Sequence, residues 1–109
     1  MARYDSTATF DRRHSKLTSM QRAAFRRAVR DLNQVIVENG FAFPKGGTLD
    51  LHRYSGFERP PTVWSVDWDS NGRALFAVAE DVVVWLFIGT HDEIARWQAS
   101  VGPRGHRIH

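Results

Sequence analysis

The sequence of 109 residues contains no cysteine. That excludes disulfide stapling and thiolate metal ligands, and it fits a reducing compartment. Lysine is scarce too, since thirteen of the fifteen basic residues are arginine. Long apolar runs are missing. The longest, Val82 to Ile88, has seven residues, against the roughly 20 that a membrane-crossing helix needs. Met1 to Phe10 has no apolar stretch of the kind that drives export. A soluble, cytoplasmic chain without a membrane partner is the expectation.

What remains is an ordinary globular composition, 42% hydrophobic and 25% charged, at a length that suits one domain over residues 1–109. The segment 102–109 reads as a loose basic tail. The formal charge of +3 and the arginine bias point weakly toward a polyanion, because a planar guanidinium matches phosphate better than an ammonium does.

Periodicity divides the chain. Thr18 and Gln21 have the spacing of a capping box, so a helix should start there. Phe25, Val29, Leu32 and Ile36 repeat at helical spacing, and Asn39-Gly40 supplies the stop. Thr9 to Leu17 predicts a short preceding helix, with Phe10 and Leu17 inward and Arg12, Arg13 and His14 facing solvent. Arg22, Arg26 and Arg30, four apart with Arg27 beside them, form either a solvated face or a patch for a partner.

After Pro44 and Gly46-Gly47 the period changes to two. Strands are expected near Leu51, over Trp64 to Trp68, from Arg73 to Val78 and over Val82 to Ile88. Asp69 to Gly72 and Glu80-Asp81 are read as the hairpin turns. Asp92 to Ser100 has helical character. The expected class is α+β: an N-terminal helical hairpin packed on a four-stranded, mainly antiparallel sheet, with a short C-terminal helix.

Trp64 to Trp68, the turn to Gly72, Arg73-Ala74-Leu75-Phe76, and Val82 to Ile88 ending in Gly89-Thr90-His91 resemble the core strands and terminal corner of the RelE/ParE toxin superfamily, most closely its RelE/YafQ-like group. The resemblance covers roughly residues 10–98. It implies a toxin of a type II toxin-antitoxin system that cleaves mRNA on the ribosome. The partners it implies are a cognate antitoxin, the ribosome and mRNA, with no metal or other cofactor. Cleavage by a 2′-hydroxyl needs a base, an acid and a cation for the developing phosphorane charge.

By the same resemblance, His91 is the proton-transfer residue and Arg73 holds the scissile phosphate. Arg53 and His52 lie where relatives carry basic residues on the preceding strand. Alternation puts them on opposite faces, so that one of the two points into the groove; Arg53 is favoured slightly as the one that assists catalysis, and His52 is a candidate RNA contact. Lys45, Arg96 and Trp97 are candidate RNA contacts, Trp97 by stacking on a base. YafQ-like relatives carry an aromatic four residues after the histidine, where this chain has Ala95. Asp67, Asp69, Glu80, Asp81, Asp92 and Glu93 surround the site with acid. Two alternatives share the scaffold: a ParE-like gyrase inhibitor, a type that typically lacks this histidine, and a catalytically inactive interaction module.

Overall fold

Thr18 caps the longest helix by a reciprocal pair of bonds. Its hydroxyl accepts from the Gln21 amide at 3.1 Å, and its own amide donates to the Gln21 side chain at 2.8 Å. The computed structural model describes residues 3–41, 51–54, 63–69 and 71–101, with backbone alone at 51–54 and 101. In chain order the elements are β1 (Arg3–Ser6), α1 (Ala8–Ser15), α2 (Ser19–Asn39), β2 (Leu51–Tyr54), β3 (Val63–Asp67), β4 (Gly72–Ala79), β5 (Val82–Thr90) and α3 (His91–Val101). No helix among the described residues is long and apolar enough to cross a membrane.

α2 buries Phe25, Ala28, Leu32 and Ile36, one stripe of its surface. It ends where Gly40 takes a φ of 65°, a left-handed conformation that costs glycine nothing. The sheet order is β1-β5-β4-β3-β2. β2 to β5 pair antiparallel, as the alternation predicts, whereas β1 joins the outer side of β5 in parallel. This fifth strand is an addition to the expected four, and it lies in a segment whose short polar alternation gives no core signal.

β1 explains why β5 is so apolar. With β1 on one side and β4 on the other, β5 is an inner strand covered on both faces. On the α2 face, Trp85 lies 5.1 Å from Phe25, 5.2 Å from Phe76 and 5.8 Å from Phe10. On the opposite face, Leu75, Leu86, Phe87 and Ile94 form a second core beneath α3. Two cores on one sheet place the last strand, and the corner that follows it, between two packed layers.

Regular alternation would send Leu86 and Phe87 to different faces. Instead, Leu75 pairs with Phe87 and the next residue, Phe76, pairs with Trp85, leaving Leu86 as the extra residue of a bulge. Both side chains therefore reach the α3 core. The carbonyl of Leu86 accepts from the Thr7 hydroxyl at 3.0 Å, and that of Trp85 accepts from the Thr7 amide at 3.0 Å.

α1 departs from the expectation in two side chains. Phe10 is buried as predicted, but His14 stacks on Phe10 at 5.7 Å and meets the Phe25 ring edge-on. Arg13 turns toward the sheet and donates through Nε to the Ile88 carbonyl at 2.7 Å. β1 pairs β5 only as far as Trp85. Beyond it β5 is an edge, and Thr7 and Arg13 occupy the carbonyls it would otherwise offer to another chain.

Candidate functional site

The β4–β5 register assembles the corner. Gly72 pairs with Thr90 and Arg73 with Gly89, so Arg73 stands at the same end of the sheet as His91, two residues further on. Asp67 pairs with Arg73 across β3 and β4. Register partners share a face, and the Arg73 Nε lies 3.2 Å from Asp67 Oδ1, with the two side chains 36% and 25% exposed. At that exposure the ion pair is worth at most about 1 kcal/mol.

Two glycines around this end are closely approached by side chains. The Trp68 ring lies against Gly72, where a Cβ would come within 2.6 Å of it. A Cβ on Gly89 would come within 3.0 Å of Arg13 Nη2 and 3.1 Å of Glu93 Oε1. Close packing against a ring and against an ion pair, rather than a positive φ, accounts for both residues.

Thr90 caps α3. Its amide donates to Glu93 Oε1 at 2.9 Å, and the Glu93 amide donates to its hydroxyl at 3.2 Å. His91 is then the first residue of the helix, exposed to solvent and not used as a cap. The Thr90 amide bond holds the Glu93 carboxyl below its ordinary range; burial opposes this, and Arg13 reinforces it. Arg13 pairs with the other carboxylate oxygen, Oε2, and its guanidinium lies 4.5 Å over the Phe87 ring. The far side of the cluster is Trp97, stacked on Phe87 at 4.7 Å with planes 19° apart.

Among the residues read from the sequence, Arg73 and His91 belong to the same end of the sheet. Arg96 and Ala95 are exposed on α3, and Trp97 is half-buried against the α3 core. His52 takes the register position opposite Ser65, and Arg53 that opposite Trp64; their side chains lie outside the described residues, as does Lys45. Of the acids, Asp67 and Glu93 hold arginines, while Glu80 and Asp81 form the β4–β5 turn with φ of 52° and 63°. The residue that sequence reading missed is Arg13. Its signal was position: it lies three residues after Phe10 and four before Leu17, beside the inward face of α1.

The fold so defined is that of RelE-like toxins. The chain is similar to the toxin fold in the RelB-RelE antitoxin-toxin complex from Methanococcus jannaschii, at 11% identity and a TM-score of 0.60 over 85% of this chain and 96% of the other. YafQ from E. coli strain BL21(DE3) is similar over 86% of this chain and 98% of its own, at 11% identity and a TM-score of 0.54. The archaeal RelE-RelB complex from Pyrococcus horikoshii OT3 gives 10% identity and a TM-score of 0.53 over 82% and 93%. No family model matches the sequence, and no curated protein matches it.

Proposed function

We propose that the chain is the toxin of a type II toxin-antitoxin pair and cleaves mRNA on the ribosome. In this reading Arg73 holds the scissile phosphate and His91 moves the proton. The 2′-hydroxyl attacks the adjacent phosphorus and the 5′-oxygen leaves protonated, giving a cyclic phosphate and a free 5′-hydroxyl. The observation that supports the reading is the pairing of Arg73 with Gly89, two residues before the exposed His91, so that both residues belong to the same end of the sheet. Arg53 assists on the neighbouring strand, and His52, Lys45, Arg96 and Trp97 contact RNA. The fold's occurrence in two complexes with RelB supports an antitoxin partner. The setting of the reaction is the cytoplasm.

Primer extension on ribosome-bound mRNA tests this directly. Wild-type protein should cut the bound mRNA, and His91→Ala with Arg73→Ala should abolish the cuts while circular dichroism stays native. Absence of cuts by wild type would sink the enzymatic reading. A second reading, a non-catalytic interaction module on the same fold, is favoured by the occupied state of Arg73 beside Asp67 and by Ala95. Growth arrest with intact mRNA would select it.

A further inference from the structure

Charge is divided unevenly along the chain. Residues 8–30 carry seven basic side chains against one acid, Asp11, whereas residues 66–93 carry six acids against Arg73 alone. The helical hairpin is therefore net positive and the segment around the corner net negative. A polyanion is drawn to the hairpin rather than to that segment.

Within the hairpin, Arg22, Arg26 and Arg30 follow one another at successive turns of α2, with Arg27 alongside. Arg26, Arg27 and Arg30 are exposed and Arg22 is half-buried. Among the described residues none of the four forms an ion pair. The nearby acids of α2 do not neutralise them, since Glu38 accepts from Gln34 at 2.8 Å and Asp31 pairs with no arginine among the described residues. Like charges four residues apart oppose helix formation, so the row is held at a cost to the isolated helix.

The row also bears on its neighbour in α1. His14, packed beside it from α1, has its imidazole pushed below the ordinary range first by burial and then by Arg22, with Arg26 adding and Asp11 opposing. The face is also unsuited to a protein partner. Large exposed apolar side chains on α2 are Met20 and Val37, near its two ends, so no apolar centre exists for a protein interface to bury. Guanidinium groups fit phosphate oxygens in pairs, and Arg22 to Arg30 spans about 12 Å of helix, room for several phosphates of one strand.

We propose that Arg22, Arg26, Arg27 and Arg30 on the outer face of α2 form a binding surface for the phosphate backbone of RNA, separate from the Arg73–His91 corner. The surface itself is independent of the cleavage reading. The choice of RNA over DNA rests on the ribosomal role proposed above.

The test is binding without cleavage. Fluorescence anisotropy of the full chain with a labelled, fully 2′-O-methylated RNA hairpin, which cannot be cut by its own 2′-oxygen, measures affinity against salt. Arg22→Gln/Arg26→Gln/Arg30→Gln should weaken binding about 10- to 100-fold near 0.1 M salt, and should flatten the slope of log affinity against log salt by roughly 2–3. Glutamine keeps the helix propensity of arginine. The exposed single variants Arg26→Gln and Arg30→Gln, each expected to lower the slope by about 0.9, keep the test valid if the triple variant fails to fold. Arg3→Gln, on the exposed β1 at the edge of the sheet, should bind within about twofold of wild type.

Wild-type affinity in the α2 variants overturns the proposal, as does an equal loss with Arg3→Gln, which would reduce the effect to net charge. Tighter binding of a DNA duplex of the same length, or displacement of the hairpin by poly-glutamate at equal charge concentration, overturns the assignment to RNA. Loss of mRNA cleavage with hairpin binding intact would leave the surface standing and remove only the catalytic reading.

Discussion

Arg13 and Glu93, eighty residues apart, pair across the end of β5 and tie α1 to the first turn of α3. The same guanidinium bonds the Ile88 carbonyl, so the segment from Ile88 to His91 is bracketed from both helices. Removing Arg13 leaves Glu93 and a strand-edge carbonyl without their partner, and Arg13→Ala is expected to cost about 1–3 kcal/mol. For a domain of this size each kcal/mol lowers the midpoint of thermal unfolding by about 4–8 °C. Glu93→Gln should cost less, because an amide oxygen can still accept from Thr90. Calorimetry of the two variants checks the order.

Asp67 lies against the Arg73 guanidinium, so in the proposed reading it competes with the scissile phosphate. Asp67→Asn releases the guanidinium without changing the shape of the side chain. Affinity for a short single-stranded RNA should rise about 2- to 5-fold, the equivalent of a partly exposed ion pair. An unchanged or weaker affinity, measured by titration calorimetry, would mean that Asp67 orients Arg73 for phosphate instead of competing with it.

Acid should weaken the fold in two stages. The unfolded imidazole of His14 takes a proton near pH 6.5, but the folded one resists because burial, Arg22 and Arg26 oppose the charge. Stability therefore declines as pH falls below about 6.5. Glu93 acts lower down. Its contribution is present above the ordinary carboxylate value of about 4.3 and is lost as pH falls through the lowered folded value. Urea unfolding of His14→Gln should lack the upper stage and keep the lower one.

The turn between β4 and β5 holds Glu80 and Asp81 at φ of 52° and 63°. Two positive φ values suit the two-residue hairpin, yet neither residue is the asparagine or glycine that prefers them. Asp81→Gly is expected to stabilise by about 0.5–1 kcal/mol, since strain relief outweighs the added freedom of the unfolded chain. A denaturation midpoint below wild type would contradict that balance.

Most of the frame was legible because it rests on local rules. Thr18 with Gln21, the stripe from Phe25 to Ile36, and Gly40 define α2 without help from the rest of the chain. The turns at Asp69–Gly72 and Glu80–Asp81 likewise fall where the polar residues are. What escaped depends on partners far away in sequence. β1 is polar and short, and becomes a strand only because β5 offers an edge. Arg13 reads as a solvated helix residue until Ile88 and Glu93 are placed beside it. Arg73 and His91 were named by resemblance, and the register puts both at one end of the sheet; the carboxylate on Arg73 was visible only as nearby acid.

The bulge at Leu86 makes the chain unequally tolerant of insertions and deletions. Trp85 and Phe87 lie on opposite faces with Leu86 between them as a supernumerary residue. Deleting Leu86 should leave every other side chain of β5 in phase, at the cost of one aliphatic group in the α3 core, about 2–5 kcal/mol. Deleting Val84 instead would invert the strand on one side of the cut, exchanging the faces of Val83 and its predecessors or of the residues leading to Gly89. A folded, weakened Leu86 deletion beside an unfolded Val84 deletion, distinguished by NMR dispersion, would show that this strand carries one spare residue in its reading frame.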